Sequence, residues 1–361
     1  MEMKMRTGEA HEAVGLGLMS GTSLDGLDMA LCKYSDFDKK FTYSIIKCST
    51  IEYDDLLKQR LKQSDAISGQ NLAQLDHDFG VLMAEKVCQF LADSELKPDF
   101  IASHGQTVFH QPGQGMTLQI GSGAALAAGT GIPTVCDFRT VDVALGGQGA
   151  PLVPIGDRLL FGDYAACLNL GGFCNISFER GNQRVAFDIA PCNMLLNTLA
   201  ARVGKSYDKD GASARTGYMV DSLTEKLNSL PYYALQGAKS LGKEWFDAEV
   251  LPLLDVPRAT PEDLLRTSVE HIAVQIGKVL TDNHLPSVLV TGGGAKNSYL
   301  MDRIRWHAPE TMVVIPDEKT VDFKEAIIFG LLGWLRLRGE VNTLASVTGA
   351  SRDSVGGAVY L

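Results

Sequence analysis

The chain has 361 residues, of which 45% are hydrophobic and 21% are charged, a composition typical of a soluble globular protein with roughly two or three domains. Its formal net charge of −10 and the lack of any long basic run argue against a nucleic-acid-binding surface. Seven scattered cysteines without a Cys-x-x-Cys pair predict neither a zinc site nor a disulfide framework, and no leader or membrane-spanning run is visible, so we expect a cytoplasmic protein.

The first distinctive element is a polar loop between two apolar strands. One strand begins at Val14, the loop falls within residues 19–28 (MSGTSLDGLD), and a second strand begins at Met29. This pattern predicts a β-hairpin. Gly21 and Gly26 would let the backbone approach a ligand, and the two hydroxyls between them could donate hydrogen bonds to phosphate. A plain hairpin turn is an equally good interpretation, and the loop is not a Walker motif.

Helices and strands then alternate. Apolar residues at helical spacing predict a helix over residues 70–94. A short strand over residues 98–102 ends in the cluster SHGQT, residues 103–107, which is typical of a ligand-binding loop in an α/β protein. A lone histidine such as His104 is nevertheless more often structural than functional.

Three more elements precede a glycine-rich run. The sequence predicts a strand over residues 118–121, a helix of small residues over 122–129 and a strand over 133–138. Arg139 follows, and it is a candidate contact for an anionic ligand, with a surface ion pair as an equal alternative. The run GGQGAP at residues 146–151 is a candidate for an interdomain crossing or a substrate loop.

The second half opens on another hairpin. Strands over residues 166–170, 175–178 and 184–188 flank two glycine-containing turns, one of which holds Gly171 and Gly172. Asp188 ends an apolar strand before a proline-marked turn and a periodic helix, a natural position for a catalytic base. A turn or helix-capping aspartate is the simpler interpretation of that stretch by itself.

The C-terminal third again alternates between helix and strand. A strong amphipathic helix over residues 268–284 precedes a buried strand that ends in Gly292-Gly293-Gly294, and a helix over residues 298–306 follows. Strand, triple glycine and helix together indicate a nucleotide-type turn, although the spacing does not match a dinucleotide fingerprint. We expect a last helix from about residue 323, with Glu325 in its first turn, where it could complement the helix dipole. Residues 356–361 resemble a closing strand.

This order of elements predicts an α/β protein with mainly parallel strands, in which each half opens on a hairpin. The two similar hairpins suggest a duplicated fold with a cleft between the halves. We expect an N-terminal domain of residues 13–135 plus about 345–361 and a C-terminal domain of residues 136–344.

The loop at residues 19–28 closely resembles the signature of the anhydro-N-acetylmuramic acid kinases. Further matching motifs follow in order along almost the whole chain: SHGQT at 103–107, NLGG at 169–172, Phe187-Asp188 with Pro191 and Asn193, TGGGAKN at 291–297, and Glu325-Ala326. The resemblance implies the two-domain actin-like ATPase fold of sugar kinases, with a cleft between the domains. It also implies an enzyme of peptidoglycan recycling that uses ATP and water to convert 1,6-anhydro-N-acetylmuramic acid to N-acetylmuramate 6-phosphate and ADP.

The resemblance also implies roles for individual residues. Asp188 would be the general base that activates water. His104, Gln106, Arg139 and Glu325 would contact the sugar. Mg²⁺ would be held mainly by the ATP phosphates and water rather than by protein ligands, and a homodimer is expected. The nucleotide would be bound by Gly21, Thr22, Ser23, Leu24, Asp25, Gly26, Leu27, Asp28, Gly171, Gly172, Gly292 and Gly293.

The sequence departs from the family beside the proposed base. Residues 189–193 read IAPCN where the family usually has TGPGN, and Phe173-Cys174 replaces a usually smaller pair. Each added Cβ restricts the backbone and can block a ligand. Two alternatives therefore stand beside the expected activity: a kinase of the same fold acting on another amino or anhydro sugar, and a sugar or nucleotide sensor without turnover.

Overall fold

The computed structural model describes residues 11–21 and 24–361, which form an α/β protein of alternating strands and helices. The chain divides into two compact units. The first comprises the described residues up to Leu160 together with Phe323–Leu361, and the second is Phe161–Asp322. The predicted α/β class with two domains is therefore confirmed.

The described residues contain thirteen strands. They are β1 (His11–Ser20), β2 (Gly26–Phe37), β3 (Lys40–Glu52), β4 (Phe100–Ser103), β5 (Gln106–Gln111), β6 (Met116–Ile120), β7 (Thr134–Cys136), β8 (Ala166–Leu170), β9 (Phe173–Arg180), β10 (Gln183–Pro191), β11 (Ser287–Thr291), β12 (Met312–Val314) and β13 (Ala358–Tyr360).

The α-helices of the same residues vary from single turns to helices of more than five turns. They are α1 (Asp55–Lys62), α2 (Gly69–Leu91), α3 (Gly123–Thr130), α4 (Thr140–Ala144), α5 (Val153–Leu160), α6 (Asn193–Ala201), α7 (Ala212–Thr216), α8 (Asp221–Asn228), α9 (Lys243–Trp245), α10 (Pro261–Asp282), α11 (Ser298–His307), α12 (Glu318–Arg338) and α13 (Ala345–Thr348). No helix in this described part of the chain combines the length and hydropathy needed to cross a membrane.

Each unit is built on one mixed sheet. The strand order is β13-β7-β4-β1-β2-β3 in the first unit and β10-β9-β8-β11-β12 in the second. Among the described strands, only the pairs β1–β4, β4–β7, β8–β11 and β11–β12 are parallel. The prediction of mainly parallel strands is wrong because the hairpins of both units, the unpredicted strand β3 and the C-terminal β13 all add antiparallel pairs.

Both predicted hairpins are present. In the first, β1 pairs with β2 in a register that places Ser20 opposite Leu27 and leaves the polar loop at the end of the pair. In the second, β8, β9 and β10 form an antiparallel meander in which Leu170 faces Cys174 and Asp188 faces Asn175. Each hairpin therefore positions its glycine-rich turn at an edge of a buried sheet.

The first unit is larger than expected because α12 packs against its central strands. A Cβ atom at Gly17 of β1 would lie 1.8 Å from the Ala326 carbonyl oxygen, so the helix backbone approaches this strand directly. The Tyr34 hydroxyl of β2 donates to the Ile327 carbonyl oxygen at 2.7 Å. Residues 323–344, which we had expected in the C-terminal domain, therefore belong to the first unit.

The glycine-rich run at residues 146–151 also belongs to the first unit. The Asp142 carboxylate accepts hydrogen bonds from the Gly149 amide at 2.7 Å and from the Thr348 hydroxyl at 2.7 Å. These contacts tie the run to α4 and α13. The chain first leaves this unit after Leu160, so residues 146–151 are not the interdomain crossing, and the expected boundary at 135/136 differs from the observed one.

Two helices begin earlier than periodicity alone predicted. Helix α10 begins at Pro261 because Thr260 and Asp263 form a reciprocal capping box. Helix α12 begins at Glu318, after Asp317 accepts hydrogen bonds from the Thr320 amide and hydroxyl. Glu325 is therefore not in the first turn, and the helix-dipole explanation fails because that effect is confined to the terminal turn.

Candidate active site

The predicted phosphate loop lies between β1 and β2. Leu24 has a φ of +58°, and its amide donates to the Gly21 carbonyl oxygen at 3.1 Å. Gly26 is explained by packing rather than by a ligand, because a Cβ there would lie 2.5 Å from the Ile51 carbonyl oxygen of β3. Leu27 is a buried core residue, so only its backbone could contact a nucleotide.

The remaining members of this loop are polar. Asp25 is exposed, whereas the Asp28 carboxylate accepts a hydrogen bond from the Thr50 hydroxyl at 2.5 Å. Thr22 and Ser23, the predicted hydroxyl donors, lie outside the described residues. The phosphate-binding role of the loop stays a prediction.

Two of the four residues expected to contact substrate are hydrogen-bonded to each other in the first unit. The Arg139 guanidinium donates to the His104 Nε2 from Nε at 3.1 Å and from Nη2 at 2.8 Å. The other ring nitrogen, Nδ1, lies 2.8 Å from the Gly105 carbonyl oxygen. This pattern fits a neutral imidazole with its proton on Nδ1. Burial, with a smaller contribution from the Arg139 charge, lowers the pKa of His104 to about 3.

Arg139 is held on a second side by the glycine-rich run. Its Nη1 donates to the Gly149 carbonyl oxygen at 2.6 Å. Burial lowers the pKa of Arg139 to about 10, while the charges of Glu325 and Asp142 act in the opposite direction. The guanidinium is therefore positively charged at neutral pH and is fixed in orientation.

Gln106 belongs to a separate hydrogen-bonded chain. The side-chain amide oxygen of Gln106 accepts a hydrogen bond from the Ser20 hydroxyl at 2.6 Å. The Ser20 hydroxyl in turn accepts a hydrogen bond from the Tyr53 hydroxyl at 2.7 Å. Burial raises the pKa of Tyr53 and so keeps this hydroxyl protonated. Because Ser20 immediately precedes the phosphate loop, the chain connects Gln106 to the end of β1.

Glu325 projects from α12 of the first unit. It keeps accessible surface, yet protein atoms crowd its carboxyl closely enough that desolvation raises its pKa. The charges of Lys324 and Arg139 oppose that shift. Lys324 forms a buried ion pair with Asp157 at 2.7 Å.

A cavity of about 430 Å³ opens beside His104 within the first unit. Its lining includes Gly105, Gln119, Asp137 and Thr140. This volume lies in the range typical of small-molecule sites. Polar groups such as the Gln119 amide and the Thr140 hydroxyl line it together with apolar side chains such as Leu72 and Ile120, so the cavity suits an amphipathic ligand.

The second predicted phosphate loop and the triple-glycine turn are neighbours in the second unit. Gly292 has a φ of +82°, and a Cβ there would lie 2.5 Å from the Asn169 Oδ1, so glycine is required at this position. A Cβ at Gly172 would meet no atom within 4 Å, which leaves that side of the loop open. Asn193 joins the region by donating to the Leu170 carbonyl oxygen at 2.9 Å.

The carbonyl groups of the second loop bind the start of α6. The Gly172 carbonyl oxygen accepts from the Cys192 amide at 2.8 Å, and the Gly171 carbonyl oxygen accepts from the Asn193 amide at 3.0 Å. These amides are therefore already satisfied. A ligand at this loop would be bound by the loop itself rather than by the α6 N-terminus.

Asp188 lies near the end of β10, where the pairing with β9 is interrupted between Asp188 and Ala190. Its side chain is partly buried, and desolvation raises the pKa of its carboxyl group. One carboxylate oxygen, Oδ2, accepts from the Leu241 amide at 2.8 Å. Neither a turn nor a helix-capping contact occupies the carboxylate, because α6 begins without a side-chain cap.

The segment that contacts Asp188 was not predicted from the sequence. Tyr232 donates through its hydroxyl to the Asp188 carbonyl oxygen at 2.7 Å, and the Asp188 amide donates to the Lys239 carbonyl oxygen at 3.0 Å. Glycines at positions 237 and 242 indicate a loop but do not indicate its partner. Asn193, which the motif contains, was also left out of the predicted site.

Comparison with known proteins agrees with the motifs. A family model described as "Anhydro-N-acetylmuramic acid kinase" matches residues 13–361. The chain belongs to the anhydro-N-acetylmuramic acid kinase family. Relatives carrying that name include one from Aliivibrio fischeri, 36% identical over 96% of this chain and 98% of its own length. Another, from Actinobacillus pleuropneumoniae, is 35% identical with the same coverage.

The similarity of this family member to two solved structures is low. One is an activator of 2-hydroxyisocaproyl-CoA dehydratase from Clostridium difficile with bound ADPNP, with a TM-score of 0.42 and 11% identity over 90% of this chain and 93% of that chain. Another is a ROK family glucokinase from Streptomyces griseus with glucose and AMPPNP, with a TM-score of 0.37 and 12% identity over 84% and 94% of the two chains.

Proposed function

We propose that this protein is the kinase of 1,6-anhydro-N-acetylmuramic acid in peptidoglycan recycling. It would consume the anhydro sugar, ATP and water, and release N-acetylmuramate 6-phosphate and ADP. The observation that carries the proposal is the family match over residues 13–361. The motif Phe187-Asp188 with Pro191 and Asn193 supports Asp188 as the base. The departures at residues 189–192 leave that carboxylate in place.

Asp188 would act as the general base. It would remove a proton from water as the water oxygen attacks the anomeric carbon, and the bond from that carbon to the six-position oxygen would break. The released oxygen would then attack the γ-phosphoryl group of ATP, with ADP as the leaving group. Two observations support this role: one carboxylate oxygen is fixed by Leu241, and desolvation raises the pKa of the carboxyl towards working pH.

His104, Gln106, Arg139 and Glu325 would bind the sugar. All four lie in the first unit, and His104, which is hydrogen-bonded to Arg139, lines a cavity. Arg139 carries a fixed positive charge that suits the carboxylate of the muramic acid lactyl group. The neutral His104 holds that guanidinium in orientation without opposing its charge.

The nucleotide would be bound by the two hairpin loops and the triple-glycine turn. The open side of Gly172 and the strict need for glycine at position 292 support this assignment. Mg²⁺ would enter with ATP as part of the nucleotide substrate, coordinated by phosphate and water oxygens. The described residues hold no group of three or more His, Cys, Asp and Glu side chains suited to a metal ion.

We also infer a cytoplasmic location and a homodimer from membership of the family. Sedimentation of the purified protein over a range of concentrations tests the dimer. A monomer at every concentration would contradict that inference.

A sugar panel with ATP tests the proposed activity. ADP release should occur with the anhydro sugar and be at least tenfold slower with N-acetylmuramic acid, N-acetylglucosamine or glucose. Turnover of another sugar, with none of the anhydro sugar, would favour a kinase of different specificity. Ligand-induced stabilisation without any product would favour a sensor. The family match favours neither of these alternatives.

A further inference from the structure

A loop that is distant in sequence surrounds the backbone of Asp188. Tyr232 and Leu241 lie 44 and 53 residues beyond it, yet both bind it directly. Tyr232 binds the carbonyl oxygen of Asp188, Lys239 accepts from its amide, and Leu241 donates to its carboxylate. We call residues 232–241 the Asp188 clamp.

We propose that Tyr232 and Lys239 are positioning residues, which hold the clamp so that the Leu241 amide fixes Oδ2 of Asp188 and leaves Oδ1 as the oxygen that accepts the proton. This inference rests on the proposed function of Asp188 as the base. It adds which oxygen acts and which residues orient it.

The geometry of the strand explains why a clamp is needed. The β9–β10 ladder shifts register between Asp188 and Ala190, so regular strand pairing is interrupted directly after Asp188 and resumes at Ala190. The clamp supplies a donor to the Asp188 carbonyl oxygen and an acceptor for its amide. Both peptide groups that flank the Asp188 Cα are thereby fixed, which restricts the direction of the side chain.

The two carboxylate oxygens of Asp188 are unequal as a result. Oδ2 accepts the Leu241 amide at 2.8 Å. Oδ1 accepts no hydrogen bond from the described residues of its own unit. A general base must keep one oxygen available to bond the attacking water, and Oδ1 meets that requirement.

Lys239 forms hydrogen bonds with other residues of the clamp. Its ammonium group donates to the carbonyl oxygens of Tyr232 at 3.3 Å and Leu235 at 3.2 Å. It also lies 4.6 Å from the centroid of the Tyr232 ring and 5.8 Å from that of Phe187. The lysine therefore connects the C-terminal part of the clamp to Tyr232 at its start, and its contact with the ring helps to hold Tyr232 in place.

Among Asp188 and its titratable neighbours Tyr232 and Cys174, Asp188 is the group that changes charge in the acid range. Tyr232 and Cys174 both interact electrostatically with Asp188, and burial raises the pKa of each, so both are neutral at working pH. Desolvation, with a smaller effect of the nearby Lys278 charge, lowers the pKa of Lys239. A shift in the acid limb of the pH–activity profile therefore reports a change in the environment of the Asp188 carboxyl.

Steady-state kinetics of Tyr232→Phe and Lys239→Met test the proposal. We expect kcat to fall about fivefold or more, with the KM values for sugar and ATP changed less than about twofold, because substrate binding does not use the clamp. Weakening the Leu241 contact removes a donor that favours the ionised carboxylate. The acid limb of the kcat profile should therefore move upward by about one pH unit. Lys239→Arg should recover most of the lost rate.

Matched controls separate this role from a general loss of structure. Tyr218→Phe and Lys226→Met make the same chemical changes on exposed residues of the same unit and should leave kinetics unchanged. In an Asp188→Asn background, Tyr232→Phe should have no further effect on the residual rate, because the two residues act as one unit.

Each result has one consequence. Loss of activity in Asp188→Asn with wild-type kcat and pH profile in a folded Tyr232→Phe protein would overturn the positioning role and leave the proposed function intact. Full activity in Asp188→Asn would overturn both the positioning role and the assignment of Asp188 as the base. An equal loss in Tyr232→Phe with and without Asp188 would also overturn the positioning role.

Discussion

Replacing His104 with glutamine should make the first unit less sensitive to acid. The pKa of His104 falls from 6.5 to about 3 on burial, so between those values the unfolded chain binds a proton that the folded chain does not. The neutral ring of His104 makes its full contribution to the free energy of unfolding above about pH 6.5, and this contribution decreases as the pH falls. Between pH 7 and pH 5 the loss is about 2 kcal/mol. Glutamine removes the titration and still offers an oxygen to Arg139.

Urea unfolding followed by tryptophan fluorescence measures this difference. The chain has three tryptophans, and Trp334 lies in the first unit, whereas Trp245 and Trp306 lie in the second. A Trp245→Phe, Trp306→Phe background therefore reports the first unit through Trp334 alone. In that background, His104→Gln should decrease the loss of unfolding free energy between pH 7 and pH 5 by about 2 kcal/mol.

Two comparisons make the experiment decisive. His77→Gln makes the same substitution at an exposed position of the same unit and serves as the matched control. His271→Gln should act on the second unit instead, because burial lowers the pKa of His271 to about 3 there. If His104→Gln keeps the wild-type pH dependence, the neutral buried state of His104 would be refuted.

Three further predictions concern packing and chemistry. Gly17→Ala should destabilise the first unit by about 1–3 kcal/mol in urea, since its Cβ would lie 1.8 Å from the Ala326 carbonyl oxygen, whereas Gly113→Ala adds a Cβ in open space and should change little. Gly292→Ala should raise the KM for ATP at least tenfold with a smaller effect on kcat, because it strains the proposed adenosine turn. The acid limb of wild-type kcat/KM should lie above 3.8, the ordinary pKa of an aspartyl carboxyl, because desolvation raises the pKa of Asp188; a limb below that value would contradict its role.

The sequence predicted elements whose signals are local. Both hairpins followed from apolar strands separated by glycine-rich polar turns, and helix α2 followed from its spacing of apolar residues. Strand β3 was missed because it is an edge strand in which Phe41 is its one buried residue, so it carries no clear alternation. The early start of α12 depended on the cap at Asp317, outside the apolar pattern.

The candidate site was predictable as a set of residues but not as a set of contacts. The motifs named His104 and Arg139, yet their hydrogen bond joins positions 35 residues apart and depends on how β4 and β7 lie in one sheet. Similarly, Asp188 was identified from its place after a strand, whereas its contact with Leu241 spans 53 residues. Such pairings arise from tertiary structure, which no local pattern encodes.

The most direct measurement of the central claim is the mass of the product formed by wild-type protein and Asp188→Asn from the anhydro sugar and ATP. Wild-type protein should give a product heavier than the sugar by one water and one phosphoryl group, and Asp188→Asn should form it about 10²–10⁴-fold more slowly. A product that gains the phosphoryl group without water, or equal rates for the two proteins, would contradict the assignment of Asp188 as the base for hydrolytic ring opening.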